Sequence, residues 1–559
     1  MKKVLALALV LLMALSATAF ASENAGLANN DPNSILAANE LVELSLLMRG
    51  DSAKIAKDDF WFFQFCEKFM NVKFNAEAVD SSVFLEKLTI IMSTDSMPDM
   101  VMASATIWQN DMMTWGQLDG MFLPIDEYAE YCPKYMAEIQ KQPRLVNVVT
   151  TPNGHMYGFS NIRVVNEGQS MGIFTVTNTE WLDRLGMDMP TTLDEFYDML
   201  IAFRDEDANG DGDPNNEIPW QASYNSGYPE RIFVNWAFGY NGYRWDEVDS
   251  TTHEGYFSPY TPRYREVIEF MAKCYQEGLI QTTKAEGVEG STFMSGDNNS
   301  NTAFGQTNTD YTYYGFSVDV GREQLTGNKD LFSSYSAQIP VVVDDTITRT
   351  TWMGLPIDLF TWTISAKTQY PEVCVKFCDT WYDPYMALLY AWGPEYGTEY
   401  DLFGNGWVYD SEKQSVSYPA NVDNVSGFSG EKNTIMDGAS FGLETGTAMA
   451  YYFADSYNWK KGWNEEEARW QATLAENNTP YEDFEYFDNI YLSEEDTEYM
   501  NKYKTPLQNY MMAQEALFIS GERSMDEFDD YMAELDAMGG REFNDFLGEK
   551  MAEYFASAN

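Results

Sequence analysis

The chain runs to 559 residues and carries 35 Lys and Arg against 87 Asp and Glu, a formal charge of −52. A surface this acidic repels DNA, RNA and anionic lipid headgroups, which are bound by neutralising phosphates with basic side chains, so nucleic-acid and other basic-patch functions are excluded. With 45% hydrophobic and 15% aromatic residues the chain can build a large core and does not read as disordered, and its length allows two to four domains at about 150 residues each. His155 and His253 are its two histidines, too few for most zinc sites or for several His-based triads.

Residues 1–21 begin with Met1-Lys2-Lys3, continue through an apolar run from Val4 to Leu15 and end in Ala19-Phe20-Ala21, the pattern of a secretory signal peptide with a small-residue cleavage site. The run is shorter than the about 20 apolar residues that a membrane-spanning helix needs. The chain is therefore expected to be exported, and to be extracellular, associated with the cell surface or periplasmic. The first cysteine is Cys66, so the expectation includes no lipid anchor at the cleavage site. Residues 22–40, rich in Asn, Ala and Ser, read as a flexible leader. Cys66, Cys132, Cys274, Cys374 and Cys378 make an odd count with no framework spacing, which predicts free and mostly buried thiols rather than a disulfide scaffold.

The fold is expected to start at Leu41-Val42-Glu43-Leu44-Ser45-Leu46-Leu47, which alternates like a strand. A helix over about Asp59 to Met70, a strand at Val72 to Ala78, a helix around Ser82 to Met92 and a strand at Asp99 to Ala103 follow. This alternation predicts an α/β lobe with a largely parallel sheet. A second alternating region runs from about Ile173 to Pro340, with helices at Leu193 to Arg204 and Pro262 to Glu277. From about Asp401 the chain reads as helical and loop-rich, ending in an amphipathic stretch from Thr505 to Phe555.

Asp205 to Glu217 (DEDANGDGDPNNE) places oxygen donors at alternating positions with glycines among them. Calcium takes six to eight oxygens, and this spacing around a Gly-enabled turn can wrap side chains and a carbonyl about one ion. The expected ligands of a structural Ca2+ are Asp207, Asn209, Asp211, Asp213 and Glu217. The segment departs from the regular twelve-residue calcium loop, since Glu217 falls at position eleven counted from Asp207. An acidic surface turn is the alternative. No neighbouring His or catalytic partner suggests metal-assisted hydrolysis.

The 15 Trp, 36 Tyr and 34 Phe are mostly expected in the core, but exposed indoles beside acids suit the apolar faces and hydroxyls of neutral sugars. Positions at predicted element ends single out Trp61, Trp108, Trp220, Trp236, Trp352 and Trp392 as ligand-binding candidates. Glu395 in WGPEYG joins them as a ligand-gripping or turn-fixing acid. Among so many acids no pattern selects a glycosidase pair. Gly-x-Ser-x-Gly occurs around Ser170 and Ser440, but Ser170 precedes a predicted strand and no His follows Ser440, so neither is expected to be a nucleophile elbow. No catalytic residue is assigned.

The order of segments resembles the extracellular solute-binding proteins of ABC importers, family 1, in the branch associated with oligosaccharide uptake. GQLDGMFLPIDEYAEYCPKY resembles the family's Gly-x-Leu-x-Pro-Leu-Asp segment, and NGHMYGFS its Asp-Gly-Lys-x-Tyr-x-x-Pro segment. TNTEWLDRLGMDMPTTLDEFYDMLIAFRDEDANGDGDPNNEIPW resembles the succession Asp-Trp-Leu-x-x-Leu-Gly, Pro-x-Thr-x-x-Glu-Phe, calcium loop and Glu-Ile-Pro. YREVIEFMAKCYQEGLI, YPEVCVKFCDTWYDPY, WGPEYGTEYDL and ALFISGERSMDEFDDYMAELDAMG carry the likeness to the end of the chain.

The resemblance implies a type II periplasmic-binding-protein-like α/β fold, two lobes joined by hinge strands with a ligand cleft between them. The N-terminal lobe would hold 41–158 and about 354–405, the C-terminal lobe and helical tail 159–353 and about 406–559, with crossings near Gly158 to Asn161 and Thr351 to Leu355. It implies a monomer that captures an oligosaccharide by lobe closure, delivers it to the transmembrane subunits of an ABC permease and performs no chemistry. The sequence departs from the family's pattern in an extra residue between Asp213 and Glu217, in Thr177 to Glu180 where a basic-acidic pair is usual, and in lacking the anchoring Cys. A peptide or other polar solute as ligand, or a secreted carbohydrate-active enzyme, are the alternatives.

Overall fold

The computed structural model describes residues 25–50, 60–103, 106–141, 143–162, 175–215, 217–221, 228–243, 245–281, 314–318, 334–352, 357–402, 404, 406–410, 415–417, 442–443, 472–473, 476–477, 480, 482–483 and 490–558. The signal segment, Ser170 and Ser440 lie outside these. In chain order the strands are β1 (Val42–Arg49), β2 (Val72–Val79), β3 (Met100–Met102), β4 (Phe159–Ile162), β5 (Thr175–Asn178), β6 (Ile218–Gln221) and β7 (Tyr240–Tyr243). They continue with β8 (Asp246–Asp249), β9 (Gly255–Phe257), β10 (Ile280–Gln281), β11 (Tyr314–Val318), β12 (Tyr335–Ala337), β13 (Thr351–Trp352) and β14 (Ile357–Ile364). The chain divides into two compact units, the first comprising Met1–Val164, Pro356–Gly462 and Tyr491–Glu494, the second Val165–Leu355, Trp463–Ile490 and Glu495–Asn559.

The first unit is built on a five-stranded sheet in the order β2-β1-β3-β14-β4. β1 is parallel to both β2 and β3, whereas β14 runs antiparallel to β3 and β4. Leu44, Leu46, Leu47 and Met48 on β1 and all three residues of β3 are buried, the apolar runs that a sheet covered on both faces requires. The helix Ser81–Ser93 turns Phe84, Leu88, Ile91 and Met92 inward at i, i+4, i+7 and i+8. The helix Pro371–Thr380 is buried along its length and includes Cys374 and Cys378. All five cysteines are free and buried, as their spacing predicts.

Part of the expected leader is packed: Ala28, Ala37 and Ala38 are buried, and the N–H groups of Ala37 and Ala38 both donate to the Met70 carbonyl. Residues 406–410 group with the first unit, beyond the expected limit near 405, because Glu395 bridges Trp407 and the Trp407 indole N–H donates to the Gly393 carbonyl at 2.8 Å.

β4 is held by hydroxyls. The carbonyls of Gly158, Phe159 and Ser160 accept from Tyr135 at 3.4 Å, Thr361 at 3.0 Å and Tyr382 at 2.5 Å. Opposite, β14 slips register between Asp358 and Trp362, and in that bulge buried Phe360 has φ +39°, a strained value for a residue with a Cβ.

The second unit has a five-stranded sheet, β10-β6-β11-β5-β12, with β6 parallel to β10 and β11 and with β5 antiparallel to β11 and β12. Phe196, Met199, Leu200 and Phe203 of the helix Leu193–Asp205 are buried, and Thr192 and Glu195 form a capping box at its start. β7, β8 and β9 make an antiparallel meander. The terminal helix Gly540–Ala558 packs so closely on the meander that a Cβ at Gly255 would stand 2.8 Å from Met551. The amphipathic end resolves into Glu494–Ser520, Phe528–Ala537 and Gly540–Ala558.

Candidate functional site

The acidic loop lies in the second unit, strung from the end of the helix Leu193–Asp205 to the start of β6. Both ends are anchored by core residues, so the loop has a fixed span. Arg184, in the last turn of the helix Thr179–Leu185, donates to the Ala208 carbonyl, and its guanidinium fills the space where a Gly210 Cβ would fall, 2.7 Å from Nε. Gly210 at φ +76° and Gly212 at φ +95° take the left-handed turns that let the chain wrap. Inside the wrap, side-chain oxygens accept loop N–H groups: Asp207 from Gly212 at 3.0 Å, Asn209 from Asp211 at 2.8 Å, and Asp211 from Asp213 at 2.8 Å. Asp213 caps Asn215 at 3.2 Å, and the Asn209 N–H reaches Glu217 Oε1 at 3.3 Å, tying the two ends of the loop together.

Two carboxylate oxygens remain inside without a hydrogen-bond partner, Oδ1 of Asp207 and Oε2 of Glu217, both buried. A buried carboxylate oxygen left unpartnered is costly, and a hard cation satisfies it. Among the described residues no group of three or more His, Cys, Asp or Glu is close enough together to hold a metal ion. The expected carboxylates are therefore not gathered as a cage: Asp211 and Asp213 turn an oxygen to the loop's own N–H groups, while Asp207 and Glu217 keep an oxygen spare. The donor set consists of oxygens alone, the ligand type that a hard divalent cation takes.

The aromatic candidates separate sharply by burial. Trp61 is buried in the first unit, stacked 4.8 Å from Phe65, with its indole N–H donating to the Tyr400 carbonyl at 2.9 Å. Trp220 on β6 is fully buried, ringed by Phe196 at 5.4 Å, Phe233 at 5.9 Å and Phe316 at 5.4 Å, and Trp236 is buried next to Phe233. These three are core residues, contrary to the expectation that they face a ligand. Trp220 sits on a strand paired on both sides, so standing next to a polar loop in the chain does not expose it. The side chains of Trp352, on β13, and Trp392, at the end of the helix Pro384–Trp392, lie outside the described residues.

Trp108 is 54% exposed. It follows the C-terminal end of β3, and Asp111 fixes its backbone by accepting the Trp108 N–H at 2.8 Å. Burial pushes the Asp111 carboxyl above its ordinary range, with the Trp108 N–H working against that rise. Glu395 is half-buried in the Trp392–Tyr396 turn, where its carbonyl accepts the Thr398 hydroxyl at 2.7 Å. The next residue, Tyr396, is 54% exposed although its N–H is paired to the Trp407 carbonyl at 2.8 Å. It is an anchored, outward aromatic that the sequence reading passed over, and the flanking Gly397 at φ +77° is the signal that the turn pushes it out.

The fold is that of type II solute-binding proteins. An extracellular solute-binding protein from Bifidobacterium longum subsp. infantis superposes with a TM-score of 0.69 at 18% identity, covering 92% of this chain and 98% of that one. The Streptococcus pneumoniae substrate-binding protein FusA in complex with kestose superposes with a TM-score of 0.62 at 20% identity over 92% of this chain and 100% of its own. A FusA EF-hand mutant in complex with fructo-nystose gives 0.61. No protein-family profile matches the chain. In sequence it is 24% identical over 487 residues, 85% of this chain and 82% of the relative, to the fructooligosaccharide ABC transporter substrate-binding protein FusA of S. pneumoniae serotype 4. In sequence and in fold the chain is thus similar to substrate-binding proteins of ABC transporters. No helix among the described residues is long and apolar enough to cross a membrane.

Proposed function

We propose that the protein is the exported, monomeric solute-binding component of an ABC importer, taking up an oligosaccharide by lobe closure and handing it to the membrane permease. The observation that carries this reading is likeness along nearly the whole chain to oligosaccharide receptors, in sequence to FusA and in fold to several solute-binding proteins. Trp108 and Tyr396 are the sugar-stacking candidates in the first unit, exposed on anchored backbone. Trp108 also follows the carboxyl end of a parallel strand, the edge at which open α/β sheets bind ligands. Trp392 and Glu395 stay in the proposal as neighbours in sequence of Tyr396, and Trp352 stays in it as a tryptophan on β13.

The acidic loop is proposed as a structural calcium site. Asp207 and Glu217 would supply the charged ligands, with Asn209, Asp211 and Asp213 completing the loop, and the ion would brace the second unit rather than touch the sugar. A thermal-shift screen of the mature chain tests the ligand class, because a ligand raises the midpoint only if it binds the folded form better than the unfolded one. A rise with neutral oligosaccharides and none with peptides is expected. A rise with peptides alone replaces the substrate class, and release of reducing sugar overturns the receptor reading.

A further inference from the structure

One buried cluster in the second unit has more negative groups than positive ones. Arg231, on the helix Tyr228–Ala237, faces two carboxylates: Glu247 of β8 at 3.3 Å and Glu515 of the helix Glu494–Ser520 at 3.6 Å. All three side chains are no more than 3% exposed. Glu515 also accepts the Tyr264 hydroxyl at 2.5 Å, and that hydroxyl lies 3.4 Å from the Tyr531 hydroxyl. Five elements of the unit, including two of the terminal helices, thus meet at one guanidinium.

The hydrogen bonds around Glu247 are lopsided. Arg231, Asn235 and the Ser258 hydroxyl at 3.0 Å all donate to Oε1, while Oε2 is buried with no partner. An ionised carboxylate shares its charge over both oxygens and would leave half of it bare in a dry interior. A carboxylic acid with its carbonyl at Oε1 keeps all three donors and leaves at Oε2 a neutral hydroxyl, itself without an acceptor, which costs less to bury than half of a negative charge. The charge count agrees: one guanidinium balances one carboxylate, and the second is buried at least cost as the neutral acid.

We propose that Glu247 is protonated in mild acid, and that this neutralisation lets Glu247 and Glu515 share Arg231 in a lock that holds the terminal helices to the meander and to the helix Tyr228–Ala237. The lock is strongest in mild acid and weakens in alkali, where Glu247 ionises and two buried carboxylates compete for Arg231. The titratable groups facing Glu247 agree. Burial, with Glu515 acting in the same sense and Arg231, Ser258 and Asn235 opposing, brings Glu247 up to about 7. Burial also raises Glu515, with Arg231 and Tyr264 opposing. Tyr264 and Tyr531, raised well above the ordinary range by burial, stay neutral throughout, as does Tyr240, which burial raises to about 12. The Glu247 pKa is higher folded than unfolded, so the stability it contributes is full below its unfolded value of about 4.5 and is lost as pH rises through about 7.

The test compares the full chain with Glu247→Gln, an isosteric neutral side chain, from pH 5.5 to 8.5. Thermal midpoints and hydrogen exchange of the Glu494–Ser520 amides are read together. The wild type is expected to lose protection of that helix by about tenfold across the range relative to the variant, so that the variant gains on the wild type as pH rises. Glu515→Gln, which removes the other carboxylate facing Arg231, is expected to open the same helix at every pH. A difference between wild type and Glu247→Gln that stays constant with pH, or a variant that loses ground in alkali, overturns the proposal. So does a carbon-13 carboxyl shift showing Glu247 ionised at pH 6.

Discussion

Individual side chains divide into those that fill the core of a unit and those that are exposed, and the aromatic residues show both. Trp220, enclosed by three phenylalanines, is core: Trp220→Ala should cost about 3–5 kcal/mol of unfolding free energy, measurable by denaturant titration. Trp108→Ala should leave that stability within about 0.5 kcal/mol, since the ring is more than half exposed, while weakening sugar binding roughly tenfold. Equal affinity in wild type and Trp108→Ala would remove Trp108 from the site. The sequence names both tryptophans but cannot sort them, because burial depends on which strand edge is paired and which face is covered. Trp61, Trp220 and Trp236 were misplaced for that reason. Tyr396 was overlooked because nothing in its neighbours distinguishes an outward aromatic from a packed one except the glycine that follows it.

At the scale of elements, local patterns were legible where the apolar period was clean. β1, β2, β3 and the helices Ser81–Ser93 and Leu193–Asp205 stand within a residue or two of their expected limits, because alternation and i, i+4 spacing are imposed by the faces they bury. The antiparallel placement of β14, the bulge at Phe360 and the hydroxyls on β4 were not legible, since they arise from segments some two hundred residues apart in the chain. Gly442 belongs to the same class. It has φ +77°, and a Cβ there would stand 2.2 Å from the Trp381 carbonyl oxygen, so Gly442→Ala should destabilise the first unit by more than about 1 kcal/mol in thermal denaturation. An unchanged midpoint would contradict the close approach. The acidic loop was legible as a glycine-enabled turn of oxygen donors, but not the tie from Arg184 or the inward turn of Asp211 and Asp213. With calcium at a hundredfold above its dissociation constant, chelation should cost about 2.7 kcal/mol and lower the midpoint by several degrees. Asp207→Asn with Glu217→Gln should abolish that response, and identical midpoints with and without chelator would remove the metal.

For the molecule as a whole, the acidic composition and the scarcity of histidine narrowed the function classes, and the start of the chain, Met1 to Ala21, carried the expectation of export. The order of short motifs carried the resemblance to solute-binding proteins, and the fold agrees with it. The identity of the sugar is not written in any of these, because it depends on the loops that line the ligand site rather than on the sheets that support them. The central claim is reversible capture of an oligosaccharide without chemistry. Calorimetric titration of the mature chain with a series of neutral oligosaccharides, with each ligand recovered afterwards and its chain length determined, tests it most directly. Saturable one-to-one binding of at least one oligosaccharide, returned intact, is the predicted result; absence of heat with every sugar, or recovery of shortened chains, would contradict it.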